Sequence, residues 1–301
     1  MRKRRCFLSF PETGGMDTGL LKSQKVIEGL NMRFSCETTS TIGIVSEGTI
    51  DVYNLNRTDT EFLTTSTAFW TNRQRFAQLY VGYDNDVRLI MSGQILEAPP
   101  NGYPDMALHI RLFGNAEWQS TVINVQKSDL KIVDLIDYVG SITQTPVNMP
   151  QWLRESNEWL NKRLDNYSYT GTPIGLLEKI QDMVGGYNPN KSSFFISMAN
   201  GAITVGSPER RNDNDVLLIS KETGMIGLPM PTYNGINVKM LLNPNIKVND
   251  KIKLVSDRVP LCNGYYNVIK VRHEGELRGN QFYTTVFCGR EDGSGEKTVD
   301  K

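Results

Sequence analysis

Residues 216–254 read VLLISKETGMIGLPMPTYNGINVKMLLNPNIKVNDKIKL, and this stretch decides the fold. The apolar run Val216–Ser220 predicts a short strand, and the two glycines of Thr223–Gly227 predict a corner where the backbone changes direction. Asn234-Gly235 predicts a tight turn, and the alternation of apolar and polar residues over Ile236–Leu242 predicts a half-buried strand. The stretch therefore predicts a β-rich protein in which glycine and proline mark the bends.

Glycine and proline are expected to have different roles at the corner. Gly224 and Gly227 flank two apolar residues where a positive φ or a close backbone approach favours glycine, so they are expected to serve backbone geometry and not ligand binding. Pro229 and Pro231 lack the N–H group that a strand donates, so they bar ladder donation just beyond the corner.

The end of the stretch predicts one more hairpin. Ile246 and Val248 belong to its first arm, Ile252 and Leu254 belong to its second arm, and Asn249-Asp250 is its turn.

The composition is that of an ordinary folded chain. The 301 residues are 39% apolar and 22% charged, and this length suits two domains with a core each. Lys+Arg and Asp+Glu both number 33, so the chain lacks the basic excess expected of a general nucleic-acid binder. No apolar run has the length of a membrane span. The apolar run after the basic start consists only of Cys6, Phe7 and Leu8. Neither a membrane anchor nor a secretion signal is therefore expected, and Arg2–Arg5 is expected to be a solvated tail.

The four cysteines lie far apart in the sequence, at Cys6, Cys36, Cys262 and Cys288, and no CxxC pair is present. Metal-ligand spacing is absent. In a protein made in a cytoplasm, they are expected to be reduced, free and mostly buried as small hydrophobic residues.

Turn signals divide the chain into three parts. Residues 1–125 are expected to form an antiparallel β domain, residues 126–190 a small helical middle section, and residues 191–301 a second β domain with a frayed C-terminal tail. The first part has predicted strands at residues 49–55, 76–81, 87–96 and 108–112, and a short helix over residues 58–67. The third part adds to the opening stretch predicted strands at residues 194–198, 202–205, 265–272 and 281–288. The sequence thus predicts an α+β protein that is mainly β.

The first and third helices of the middle section have clear end signals. The first is predicted to begin at a Ser128 cap and to run to Val139, with Gly140 as its stop. The third is predicted to begin after a Thr172 cap and to end at Gly185-Gly186.

The second helix is predicted over residues 150–164. It carries Trp152 and Trp159 at helical spacing. These two rings either form a partner-binding face or pack internally between the two β domains, and the sequence leaves both interpretations open.

Residues with catalytic potential are few and isolated. His109 lies mid-strand opposite an apolar face and His273 lies at a strand end, so both are expected to be surface or interface histidines. Asp213-Asn214-Asp215 lacks the glycine and glutamate of a calcium loop and is expected to be a turn. Glu274 and Glu276 are expected in a glycine-rich turn, although a carboxylate pair is also what glycoside hydrolysis requires.

No nucleotide-binding loop, Rossmann fingerprint, HExxH motif or nucleophile elbow is present. The sequence therefore predicts no catalytic, cofactor-binding or metal-binding residue, and a protein that is not an enzyme.

The opening stretch resembles the baseplate hub proteins of contractile-tailed bacteriophages. These proteins often carry the pattern TG-IG-P--T--G--V--LLNP, and the matching residues are Thr223, Gly224, Ile226, Gly227, Pro229, Thr232, Gly235, Val238 and Leu241–Pro244. Two patterns nearer the N-terminus are also similar, at Gly48, Ile50, Val52–Leu55, Leu79, Val81–Tyr83, Leu89, Ile90, Gly93 and Ile95. One departure is Asn249-Asp250, where family members often have glycine.

The resemblance implies two tube-like antiparallel β-barrels per chain and a homotrimeric ring. Such a hub presents a pseudo-sixfold face to the hexameric tail tube and a threefold face to the central spike. It implies as further partners other baseplate proteins and the tape-measure protein, with DNA only passing through the channel, and a location in the virion. The alternatives are a tube terminator or the front half of a secretion-type spike and, less favoured, a peptidoglycan hydrolase of the tail.

Overall fold

The computed structural model describes residues 3–11, 25–44, 46–67, 76–102, 106–114, 118, 121–183, 194–199, 201–207, 216–233 and 235–290. Several predicted features lie outside these residues: Arg2, Val184–Gly186, Asn200, Asp213–Asp215, Asn234 and the tail from residue 291.

The described chain is mainly β, as predicted. Its strands are β1 Arg4–Phe10, β2 Lys25–Glu28, β3 Met32–Thr39, β4 Glu47–Tyr53, β5 Phe76–Tyr83, β6 Asp86–Glu97, β7 Pro100–Asn101, β8 Ala107–Phe113, β9 Ile123–Lys127, β10 Leu130–Lys131, β11 Val147–Asn148, β12 Arg163–Leu164, β13 Tyr167–Gly171, β14 Phe195–Ala199, β15 Ala202–Gly206, β16 Leu217–Ile219, β17 Met225–Thr232, β18 Gly235–Leu241, β19 Lys251–Leu254, β20 Gly264–Glu276 and β21 Phe282–Arg290. Its helices are α1 Arg57–Thr67, α2 Ile132–Ile142, α3 Gln151–Ser156 and α4 Pro173–Met183, with a 3₁₀ turn over Pro260–Cys262.

One large sheet contains strands from both ends of the chain. Its main path runs β17-β18-β21-β20-β3-β4-β8-β6-β5-β1-β2, with β7 paired to β8 and with β19 and β16 branching from β20. The N-terminal and C-terminal strands meet in the antiparallel β20–β3 ladder, which extends from Lys270↔Thr39 to Glu276↔Arg33. Among the described strands the path ends at β17 and β2, and closure into a barrel is not detected. Two closed barrels therefore stay a prediction.

Most predicted elements are confirmed with shifted ends. The helix over residues 58–67 and the strands at 49–55, 76–81, 87–96, 108–112, 265–272 and 281–288 are all present. The predicted corner is also present, with φ of +104° at Gly224 and +74° at Gly227. Pro229 and Pro231 lie in β17, which is an edge strand, and the register shifts between Ile226 and Met230. An edge strand tolerates proline because its outer N–H groups have no ladder partner.

The predicted tail at Arg2–Arg5 is wrong for its described arginines. Arg4 and Arg5 begin β1, which pairs with β5 and β2. The alternation Cys6, Leu8, Phe10 is buried, so the hydrophobic effect holds this segment in the sheet. Near the other terminus, the strand predicted over residues 281–288 extends farther than predicted, since Gly289 and Arg290 also belong to β21.

The predicted hairpin over residues 246–254 is also wrong. Its first arm is not a strand, and β19 pairs instead with β16 in parallel and with β20 in antiparallel orientation. Asn249 has φ of +69°, in the left-handed region that asparagine tolerates better than most residues. The asparagine thus supplies a left-handed conformation at this turn, one that glycine also adopts readily.

The helix predicted from a Ser128 cap begins later, at Ile132. Leu130 and Lys131 pair with β12, so the helix begins after them, where the Lys131 N–H donates to Asp134 at 2.8 Å. It also does not stop at Gly140, which is buried within α2. A Cβ at Gly140 would lie 2.5 Å from Val147, so the glycine permits close packing of β11 against the helix.

The second predicted helix is mostly wrong, since only Gln151–Ser156 is helical. The Asn157 side chain accepts a hydrogen bond from the Leu160 N–H at 3.0 Å, and this local alternative ends the helix. The third predicted helix is confirmed over Pro173–Met183. The Thr172 hydroxyl caps it by accepting from the Gly175 N–H at 3.1 Å.

The buried apolar residues form three clusters, which we call the first, second and third cores. The first lies between the strands β1 to β8 and also contains Leu242 and Phe282. The second surrounds α2 and α4 and includes the β14–β15 hairpin, which pairs with β11 in a separate three-stranded sheet. The third contains residues of β16, β18, β19, β20 and β21. The predicted domain boundaries at residues 125 and 190 stay a prediction.

Candidate functional site: assembly surfaces

Two strands that belong to different ends of the chain are joined by ion pairs on the outer face of the large sheet. Glu37 of β3 accepts hydrogen bonds from Lys270 at 3.0 Å and from Arg272 at 2.7 Å, both on β20. Burial acts to raise the pKa of Glu37, but the two hydrogen bonds and the two positive charges lower it overall. Because these side chains are about one-third to one-half exposed, each pair contributes on the order of 0–1 kcal/mol.

The same face continues across the sheet as a row of paired charges. Arg111 donates to Glu97 at 2.7 Å and to Glu47 at 3.1 Å, so it bridges β8 to both β6 and β4. Alternation puts these residues on one face, with the apolar residues between them in the first and third cores. We call this surface the charged face: Glu37, Glu47, Asp51, Glu97, His109, Arg111, Lys239, Lys270, Arg272 and Glu274.

The two histidines have different environments. His109 is half-buried on the charged face, with its Nδ1 2.6 Å from Asp51 Oδ1, in agreement with a surface position. His273 was predicted to lie on the surface at a strand end, and this is wrong. It lies within β20 and is buried, with Nδ1 2.9 Å from Thr284 Oγ1. Burial lowers the pKa of His273 to about 4. The imidazole is therefore neutral near pH 7 and is a buried, hydrogen-bonded part of the protein interior.

The carboxylate pair Glu274 and Glu276 lies on β20 and not in a glycine-rich turn as predicted. Glu274 accepts a hydrogen bond from Lys239 at 2.8 Å, which keeps it in the row of paired charges. Two residues apart on one strand, both side chains face the same way instead of flanking a substrate bond.

All four cysteines are free and buried, as predicted. Burial raises the pKa of Cys6 and of Cys288 to about 12, and it raises the pKa of Cys36 further, with a contribution from Cys6. The thiols of Cys6, Cys36 and Cys288 therefore stay protonated and unreactive in the folded protein.

A cleft of about 610 Å³ lies where the three-stranded sheet faces the loop before β19. Its walls include Phe195, Thr204, Ile246 and Val248, and His273 reaches it from the large sheet.

Within the described part of the chain, no group of three or more His, Cys, Asp or Glu side chains is arranged to hold a metal ion. No described helix combines the length and the apolar character needed to cross a membrane.

The tryptophans predicted on one helix are separated by the structure. Trp152 lies on α3 and packs partly buried against the second core. Trp159 lies in the turn that follows and is 38% exposed, with the Lys162 ammonium 4.9 Å from its ring centroid. Of the two rings, Trp152 therefore packs internally, against the second core and not between the two β domains, whereas Trp159 is partly exposed.

An uncharged apolar edge is the other prominent surface. Residues 224–236 contain no charged side chain, although they include β17 at the end of the sheet path. Three large apolar side chains are exposed on β17 and on the turn after it. We call them the edge patch: Leu228 (48% exposed), Met230 (65%) and Tyr233 (fully exposed). An exposed edge strand of this kind promotes association with another chain.

These surfaces were not predicted from sequence. The alternation of charged and apolar residues along β3, β8 and β20 could have indicated a charged face, but the pairing of β3 with β20 has no local signal. The uncharged run over residues 224–236 was visible in the sequence, whereas its position at a sheet edge was not.

The fold is similar to that of solved tail proteins. A tail protein from Neisseria meningitidis MC58 is similar with a TM-score of 0.62 and 10% identity, covering 97% of this chain and 97% of that chain. The 43 kDa tail protein of prophage MuSo2 from Shewanella oneidensis has a TM-score of 0.58 and 8% identity, covering 96% and 98%. An Escherichia coli type VI secretion component, described as similar to the T4 bacteriophage tail proteins gp27 and gp5, has a TM-score of 0.51 and 9% identity, covering 93% and 76%.

The family follows from the sequence itself. The profile of the baseplate hub gp41 family matches residues 15–288, which is nearly the whole chain. This chain therefore belongs to the baseplate hub gp41 family, a family of bacteriophage tail structural proteins. No curated protein sequence matches it.

Proposed function

We propose that this protein is the central hub of a contractile-tail baseplate and joins the hexameric tail tube to the trimeric spike as a homotrimeric ring. The observation that carries the proposal is the family match over residues 15–288, together with the shared sheet. Three copies with two pseudo-equivalent β regions each would present six similar surfaces to the tube and three to the spike.

The shared sheet supports this role because a symmetry adaptor needs its two β regions at a fixed angle. A linker between independent domains would permit relative motion. Here the β20–β3 ladder joins the two regions directly, and Glu37 adds ion pairs to Lys270 and Arg272 across the same joint. The backbone ladder therefore fixes the angle.

The charged face supports the proposal that DNA passes through the channel without binding to the protein. Four basic and five acidic side chains of this face are paired across strands, in addition to His109. The charges of this face nearly cancel, so it offers a polyanion no excess of positive charge to bind. We place this face toward the channel.

The edge patch supports contact with a neighbouring copy in the ring. Its three apolar side chains lie at one end of the sheet path, and among the described strands the other end of the path is β2. A head-to-tail ring would cover such edges in every subunit. Tube, spike, other baseplate proteins and the tape-measure protein are the further partners that we propose.

A reconstruction of the purified particle tests the proposal. We expect three copies of the chain in one ring between tube and spike, each with two β-barrels around a central channel. Six copies in the ring, or one barrel per chain, would contradict it. The mass of the isolated chain does not decide the matter, because ring closure can depend on the tube or spike as template.

The alternative is a tube terminator or the front half of a secretion-type spike, and the likeness to the type VI secretion component supports it. In that case the reconstruction would place the chain at the far end of the tube or in a secretion apparatus. A non-enzymatic role is proposed in either case, with synthesis in the host cytoplasm before incorporation into the virion. Zymography on cell-wall substrate tests that role, since a cleared band would reveal a peptidoglycan hydrolase.

A further inference from the structure

Arg4, the first residue of β1, contacts the turn between the last two strands of the chain. Its Nη1 donates to the Glu276 carbonyl oxygen at 3.2 Å and to the Gly279 carbonyl oxygen at 2.5 Å. The guanidinium also lies over the Phe282 ring, 4.9 Å from its centroid. One side chain thus holds both ends of the β20–β21 turn.

This contact crosses the large sheet instead of following its ladder. On the hydrogen-bonded path, β3, β4, β8, β6 and β5 lie between β20 and β1. Phe282 is also touched edge-on by Phe34 of β3, at 5.9 Å between centroids, and by Tyr83 of β5, at 5.3 Å. The sheet therefore curls until the first strand approaches the last hairpin.

The turn is tied to the N-terminal strands from a second side. The Leu277 N–H donates to the Met32 carbonyl oxygen at 2.9 Å, and the Arg278 N–H donates to Asn31 Oδ1 at 3.2 Å. These two bonds come from the start of β3, whereas the Arg4 bonds come from β1. The turn is consequently gripped between two strands that are not neighbours in the sheet.

We propose that Arg4 is a latch, a positioning residue that closes the curled sheet by a side chain where no described backbone ladder closes it. The two carbonyl oxygens and the Phe282 ring face are the three groups that hold the guanidinium. Arginine suits this position because its planar donor group serves two acceptors and stacks on a ring at once. The latch fixes the last hairpin to the first strand within one chain, so it does not depend on the proposed ring.

Hydrogen exchange on the full-length protein tests the latch. In Arg4→Ala, the exchange rate of the Leu277 and Arg278 amides is expected to rise on the order of tenfold, because the turn loses its hydrogen bonds to Arg4 and opens more often. The acceptors of these two amides, on Met32 and Asn31, are not changed by the substitution. The Asn249 and Val268 amides, which bond to Val268 and Asp250 in the third core, are expected to keep their protection.

Arg5→Ala is the matched control. Arg5 is the next residue of the same strand, but its guanidinium pairs with Glu28 at 2.5 Å and does not contact the turn. Exchange at Leu277 and Arg278 is expected to stay at the wild-type rate in this variant. If Arg4→Ala fails to fold, Arg4→Gln, which loses the charge, is measured by the same criteria. Unchanged exchange at the turn, an equal rise in Arg5→Ala, or a uniform rise that includes Asn249 and Val268 would each overturn the latch.

Discussion

At Gly227 the backbone alone determines the residue. Its φ is +74°, and no atom lies within 4 Å of the position that a Cβ would occupy. Gly227→Val is therefore expected to lower the free energy of unfolding by about 1–3 kcal/mol through backbone strain and without a clash. Urea unfolding of the purified protein measures this change.

Asparagine provides the control at the same position. Gly227→Asn is expected to cost less than Gly227→Val, since asparagine adopts the left-handed region more readily and a β-branched residue does not. A Gly227→Val protein with wild-type stability that fails only to bind a partner would show that the glycine serves recognition instead.

Gly235 shows a limit of residue-scale prediction. The sequence explained it by the Asn234-Gly235 turn. In the structure a Cβ at Gly235 would lie 1.8 Å from the Cys288 carbonyl oxygen of the neighbouring strand, so close approach of β21 requires glycine there. The residue type was readable, but its cause depends on a strand that lies about fifty positions away in the sequence.

His273 leads to a prediction about pH. Its pKa is lowered from 6.5 to about 4 in the folded protein by burial, so the unfolded chain binds a proton more readily than the folded one between these values. The stability that the neutral imidazole permits is complete above about pH 6.5 and is lost as pH falls toward 4, by up to about 3 kcal/mol. Urea unfolding from pH 7.5 to 4.5 measures the loss.

The variant His273→Gln separates this histidine from the carboxylates that also titrate in acid. The difference in unfolding free energy between wild type and His273→Gln is expected to shrink as pH falls through this window. A constant difference between wild type and His273→Gln over the whole range would contradict the prediction.

At the scale of elements, a single turn residue connects two cores. Ile42 lies between β3 and β4 and is 8% exposed, but it packs into the second core and not into the first. Ile42→Ala is expected to lower the free energy of unfolding by about 2–5 kcal/mol, because it leaves a cavity among the helices. Hydrogen exchange is expected to show the largest loss of protection in α2 and α4.

Ile44, two residues later, is 59% exposed and gives a matched control. Ile44→Ala is expected to change the stability by no more than about 0.5 kcal/mol. Equal effects of the two substitutions would mean that Ile42 does not connect the helices to the sheet.

Strands were predicted well from the sequence where apolar and polar residues alternate cleanly. Elements were predicted poorly where small or polar residues take buried positions, or where a single side-chain hydrogen bond decides the end of an element. The strands β4, β5 and β8 have strong apolar alternation, and all were predicted. The strand β3 was missed because Cys36 and Thr38 occupy inward positions that usually hold larger apolar residues. The end of α3 was missed because its signal is one hydrogen bond of Asn157, whereas the apolar spacing continues to Leu164.

At the scale of the whole molecule, the edge patch leads to a prediction about assembly. Met230→Asp places a charge on a side chain that is 65% exposed, so the isolated chain is expected to keep its stability within about 0.5 kcal/mol. Incorporation into particles is expected to fall sharply, because the proposed contact would bury this charge without a partner. Complementation of a hub-deficient phage, with the hub quantified in purified particles, measures the effect.

Leu261→Asp is the control for this experiment. Leu261 is 97% exposed on the 3₁₀ turn and does not belong to the edge patch. It is expected to assemble as wild type does. Normal incorporation of a folded Met230→Asp protein would exclude the edge patch as a subunit contact while leaving the hub role itself open to the reconstruction.

The β20–β3 ladder has a consequence for synthesis. Glu37 and Arg272, which meet across it, are 235 positions apart in the chain. At bacterial elongation rates the ribosome needs roughly 10–50 s to reach β20 after it has made β3. For this interval β3 lacks one of its two neighbours, so the nascent chain carries an unsatisfied strand edge that promotes misassociation. The strand β18, which supports the edge strand β17, likewise gains its second neighbour only when β21 has been made, so assembly of the proposed ring must wait for release of the finished chain.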